Sequence, residues 1–198
     1  MLQKLLAIIR VTFTETVRQP IFGVLLWTAA GMLAINPSIA AFSLESGGDS
    51  KIMKDIGLST LLLYGLLASV FSAAGVITRE IESSTVLTVV SKPVSRPLFL
   101  VGKYVGVAAA VAVGYYLLFI TLMLTAQQGV METTADKYDQ PMLVFAFTAL
   151  GISLAVAVFG NLFYGWHFPA TLLACAVPLG TLALVGSLLF DRQWQTVI

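Results

Sequence analysis

Few residues in this chain have the types and spacing for chemistry, and most of them crowd into one stretch. Arg79 to Tyr104 reads REIESSTVLTVVSKPVSRPLFLVGKY and holds six charged residues between two long apolar segments. Its Gly102-Lys103 pair raises the question of phosphate binding. A nucleotide loop needs a glycine five positions earlier, where this chain has Pro97, and a Ser or Thr after the lysine, where it has Tyr104. No nucleotide site is encoded there. Ser153, in GISLA, and His167, the single histidine, are the pair to weigh for nucleophilic catalysis. Helix geometry separates them by about 21 Å along the axis, too far for a nucleophile and its base. GISLA also lacks the second glycine of a nucleophile turn. The lone Cys175 has no internal disulfide partner and no second thiol for a metal. These residues point away from an enzyme and leave the charged stretch to be explained.

The elements that hold that stretch follow from composition. The chain is 58% hydrophobic and 11% charged, where a soluble domain carries roughly a quarter charged residues. Its outer surface must therefore face something other than water, and a net charge of +1 argues against nucleic acid as partner. Every Lys, Arg, Asp and Glu falls outside four tracts: Gln19–Leu44, Ile56–Thr78, Tyr104–Met131 and Gln140–Phe190. A helix needs about 20 apolar residues to cross a hydrocarbon core about 30 Å thick. The first three tracts each fit one crossing. The fourth has 51 residues and fits two, turning in the Gly- and Pro-containing GNLFYGWHFP of Gly160–Pro169. The fold class is all-α and polytopic, with spans near 21–42, 56–78, 98–125, 142–164 and 169–190. Pro37 and Pro178 lie inside the first and last of them, where they can kink a helix or simply pack.

Ahead of the first span, Leu2, Leu5, Leu6, Ile9, Phe13 and Val17 recur at helical spacing, with Lys4, Arg10 and Glu15 largely off the stripe. Residues 1–19 read as an amphipathic helix in the membrane interface that ends at Pro20. A cleaved signal peptide ending near Ser38 and Ala40 is the rival reading, and its charged region would be unusually long. With five crossings, one face carries seven of the eleven basic residues against three acidic ones, a net +4. The other carries four basic against seven acidic, a net −3. Basic residues gather on the cytoplasmic side of short loops. The N-terminus and residues 79–103 are therefore expected in the cytoplasm, and the membrane is expected to be the cytoplasmic one.

Within the charged stretch, Ile81, Val86, Leu87, Val89 and Val90 keep one side apolar and Arg79, Glu80 and Glu82 mark the other, which predicts a short surface helix ended by Pro93. Ser95 can cap the following helix, since Pro97 suits a first turn. An ordinary amphipathic connector explains the same pattern. Two stripes of small residues recur every four positions: Gly65, Ser69 and Ala73 in the second span, and Gly102, Gly106, Ala110 and Gly114 in the third. Small faces let helices approach closely in lipid. Packing within one bundle and a dimer or transport-path surface are both open on this evidence. No charge lies within a span, so energy for any transport would come from a partner.

The charged stretch resembles the loop after the second span in permease subunits of the ABC type-2 (ABC-2) transporter family, and is similar to that of the nitrous-oxide-reductase maturation permease. The matching positions are Glu80, Glu82, Thr85, Leu87, Pro93, Val94, Ser95, Arg96, Gly102 and Lys103. Ser84 stands where the family often has glycine. The resemblance implies a single permease domain over 1–198, with residues 1–19 as an elbow helix. It implies that 79–97 is a coupling loop, formed by Arg79, Glu80, Glu82, Ser83, Thr85, Leu87, Lys92, Pro93 and Arg96. It further implies docking of a separate cytosolic ABC ATPase that carries the ATP and Mg, with no cofactor in this chain. Two permeases and two ATPases would form the transporter, with lipid around the permease homodimer. The family usually has six spans, so a sixth is expected beyond Ile198. The reading from a merely amphipathic loop, a membrane anchor or assembly subunit without transport, is the alternative.

Overall fold

The computed structural model describes residues 2–41, 49–82, 96–130, 138–190 and 195. It is built from helices: α1 (Leu2–Val17), α2 (Pro20–Ala40), α3 (Asp49–Glu82), α4 (Arg96–Gln128), α5 (Gln140–Tyr164) and α6 (Phe168–Leu188). The last five are each long and apolar enough to cross a membrane, over Pro20–Ala40, Ser50–Arg79, Pro97–Gln128, Gln140–Tyr164 and Phe168–Leu188. The protein is an all-α polytopic membrane protein. Prolines open several helices where a missing N–H costs nothing: Pro20 follows the extended Gln19, and Pro141 follows Asp139, whose carboxylate accepts from the Met142 amide at 3.1 Å.

Helix α4 is the axis of the bundle. It packs against α1, α2, α3 and α6, whereas α5 leans chiefly on α6. The core gathers Phe22, Leu26 and Leu33 of α2, Leu61, Tyr64 and Ala68 of α3, and Ala110, Leu118 and Leu122 of α4. A smaller cluster of Ile120, Leu124 and Met142 joins α4 to α5. Large apolar side chains such as Leu62, Leu66, Phe147 and Leu162 stay on the outside, as expected of a surface solvated by hydrocarbon.

Several Ser and Thr hydroxyls within the spans are satisfied by their own helices. Thr28, Thr60, Thr78, Thr121, Thr148 and Ser153 each donate to a carbonyl one turn back. That arrangement keeps them from needing water where none is available. Pro37 and Pro178 both lie inside helices.

Three details correct or sharpen the sequence reading. Arg79–Glu82 form the last turn of one continuous α3 rather than the start of a separate surface helix; residues 83–95, the rest of that expected helix and the capping Ser95, lie outside the described residues. The turn between the last two spans narrows to residues 165–167 within the Gly160–Pro169 stretch, in keeping with spans near 142–164 and 169–190. Gly165 takes the left-handed conformation (φ 66°) and donates to the Asn161 carbonyl, while Trp166 folds back so that its ring covers Gly160. Because the chain reverses that sharply, Gly160–Tyr164 remain helical. Finally, α1 turns part of its leucine stripe outward, as an interfacial helix can, leaving Leu2 and Leu6 exposed, and it buries Thr12 and Thr16. Small side chains win that face because α1 and α4 approach closely there.

Candidate functional site

The charged stretch joins α3 to α4, so the candidate site is this hairpin and whatever braces it. Arg79 is exposed on the last turns of α3, Glu80 and Glu82 end that helix, and Arg96 opens α4. Ser83, Thr85, Leu87, Lys92 and Pro93 lie outside the described residues. Gly102 and Lys103 sit inside α4, in regular helix. Lys103 holds its ammonium 5.1 Å from the centre of the Phe99 ring, a cation–π distance.

From its first turns α4 is clamped by α1. A β-carbon at Gly102 would come within 2.8 Å of Ile8 Cγ2 and 3.3 Å of Leu5 Cδ1. One turn on, a β-carbon at Gly106 would meet Thr12 Cβ at 2.7 Å and the Ile9 carbonyl oxygen at 2.9 Å. The latter is backbone, so α1 and α4 touch there with only a hydrogen to spare. Ala110 is fully buried, and Gly114 faces Phe22 of α2 and Tyr64 of α3, whose hydroxyl occupies the space a β-carbon would need. The four positions thus wind from α1 to α2 and α3. In α3 the other stripe divides: Gly65 meets the Tyr115 ring at 3.6 Å, while Ser69 and Ala73 are exposed.

A second brace was not apparent from sequence. Gln19, in the elbow between α1 and α2, is buried, and its carboxamide lies against Gly75 of α3, 3.0 Å from where a β-carbon would be. Among the described residues its Nε2 has no hydrogen-bond partner, and the same holds for Asn36 Oδ1 and Tyr64 Oη. Asn36 nevertheless ties α2 to α3 by donating to the Met53 carbonyl at 2.7 Å. Buried polar atoms at these depths are costly in an apolar solvent. The only sequence signal for Gln19 is a polar side chain placed directly before Pro20 at the start of an apolar tract. At the opposite end of α4, Gln127 accepts from Ser187 of α6 at 2.7 Å, and Gln128 accepts from the Asp139 amide at 3.2 Å.

The elbow and the hairpin are therefore one mechanical unit. The two helices that flank residues 83–95, α3 and α4, are both held by α1 and its elbow, at Gly75, Gly102 and Gly106. Ser153 and His167 form no such unit: the serine hydroxyl donates to Ala149 within its own helix, and the histidine is exposed at the start of α6.

No curated protein and no solved structure matches the chain. The family model of the ABC-2 family transporter proteins matches residues 6–165, from α1 to the turn after α5. With most of its length covered by that match and five helices able to cross a membrane, the chain belongs to the ABC-2 transporter family and is an integral membrane permease.

Proposed function

We propose that this chain is the membrane-spanning subunit of an ATP-driven ABC transporter that exports or translocates its substrate, moved by a separate cytosolic ABC ATPase that docks on residues 79–97. The family match supports a permease, and one structural observation supports this site for docking. The α3–α4 hairpin is gripped by the α1 elbow at Gly102 and Gly106, so force applied to its tip passes into the bundle instead of bending a loop. The net +4 of the hairpin face supports a cytoplasmic tip and a cytoplasmic N-terminus. A pair of permeases working with two ATPases completes the reading, and the finer likeness to the nitrous-oxide-reductase maturation permease rests on the loop residues alone.

The test is capture of a co-expressed cytosolic ABC ATPase by the wild-type chain and by the Glu80→Lys/Glu82→Lys pair at equal membrane expression. Like charges brought together across an interface cost several kcal/mol, so the variant should lose capture and ATPase stimulation together. Unchanged capture and stimulation would remove the loop from the coupling role and favour the anchor or assembly reading.

A further inference from the structure

On the face of α4 away from α1 lies a groove that the packing of the bundle does not explain. It has a volume of about 1230 Å³ and is walled by α3 from Ser69 to Ile77 and by α4 from Phe99 to Phe119. Its floor is low because Ala73, Ala108 and Ala112 line it, and its lining is otherwise almost wholly apolar or aromatic. Lys103 is the one charged residue lining it among the described residues, and it stands near the end where α4 begins. Arg79, two residues beyond Ile77 on α3 and exposed, lies on another side of that helix, so Lys103 is the cation at that end; Glu80 and Glu82 come after Arg79, on the turn that leaves the span.

Length and charge agree on an occupant. The α4 wall is longer, but the stretch that α3 also walls, from Ser69 to Ile77, runs about 12 Å, close to half of a hydrocarbon core about 30 Å thick. That is the depth of one leaflet. The Lys103 ammonium, 5.1 Å from the centre of the Phe99 ring, puts a positive charge at one end of such a channel. We infer that this groove holds one acyl chain of an anionic glycerophospholipid of the surrounding leaflet, with Lys103 at its phosphate. A second copy of the chain would also cover an apolar groove, but nothing in that occupant calls for a cation at one end only. The site does not depend on ATPase docking.

The full chain is placed in nanodiscs of equimolar phosphatidylglycerol and phosphatidylcholine, one of the two carrying a photoactivatable diazirine in its acyl chain, and adducts are mapped by mass spectrometry. Adducts between 69–77 and 104–112 should favour phosphatidylglycerol about five-fold, the preference one basic residue provides near an anionic headgroup. Lys103→Arg should keep that preference, and Lys103→Gln should bring it close to parity. Ala108→Trp, at an exposed position, should suppress groove adducts with either lipid and leave those around Phe147 and Leu162 on the outer face of α5 unchanged. Equal labelling by the two lipids in the wild-type chain would overturn the inference, as would a preference that survives Lys103→Gln. Absence of groove adducts, with Ala108→Cys cross-linking to a second copy, would overturn it in favour of an interface between copies.

Discussion

Gly106→Ala is the sharpest available test of the α1–α4 clamp. The added methyl would sit 2.7 Å from Thr12 Cβ and 2.9 Å from the Ile9 carbonyl oxygen, where ordinary contact begins near 3.4 Å. Restoring carbon–carbon contact requires α1 to move by roughly 1 Å. Neither neighbour can turn away, because one is a β-carbon and the other is backbone. Overpacking of this kind costs about 1–3 kcal/mol, while replacing glycine in a helix returns up to about 1 kcal/mol. The net expectation is a loss of about 1–2 kcal/mol, or about 2–8 °C in melting temperature for a chain of this size. Gly151→Ala is the matched control, since nothing lies within 4 Å of its β-carbon, and it should melt at or slightly above the wild type. The assay is thermal unfolding of the purified chain in one detergent, followed by fluorescence-detected size exclusion. Adding Thr12→Ala, which keeps Cβ, should not rescue Gly106→Ala. If Gly106→Ala melts with Gly151→Ala, the two helices do not approach as described and the elbow cannot transmit force to the hairpin.

Other expectations can be checked in the same preparations. Gly165→Ala forces a side chain into the left-handed conformation of the α5–α6 turn (φ 66°) and should cost about 1–2 kcal/mol in the same melting assay. Gly160→Ala should displace the Trp166 ring that covers it, seen as a shift in tryptophan emission. Asn36→Ala removes the 2.7 Å bond from α2 to the Met53 carbonyl and should cost about 1 kcal/mol, the scale of hydrogen bonds between membrane helices; no change in melting would mean that bond contributes nothing net. Cysteines at Ser46 and Thr133 should react with an impermeant thiol reagent in intact cells, and one at Ser91 should not. Labelling of Ser91 would reverse the orientation read from the charge asymmetry.

The membrane fold could be read from the one-dimensional chain because the bilayer imposes a one-dimensional rule. A span must be apolar over about 20 residues and satisfy its own backbone, so charge-free tracts in the sequence become α2 to α6 with ends shifted by a few residues. The 51-residue tract resolved into two spans by the same rule, helped by Gly165 in a left-handed turn that few other residues adopt. Which side of each helix meets which neighbour is another matter. Inside lipid, hydrophobicity does not distinguish buried from exposed: Leu62 and Leu61 are equally apolar, yet one faces outward and the other is in the core. Periodicity therefore found the stripe of Gly102, Gly106, Ala110 and Gly114 but not its partners, and it marked the apolar stripe of α1 without showing that Thr12 and Thr16 are what that helix buries. Only the assembled bundle brings the elbow residue Gln19 against Gly75, Asn36 to the Met53 carbonyl, and Lys103 to the end of an apolar groove. Those contacts join residues far apart in the chain, and shape complementarity, which no linear pattern records, decides them.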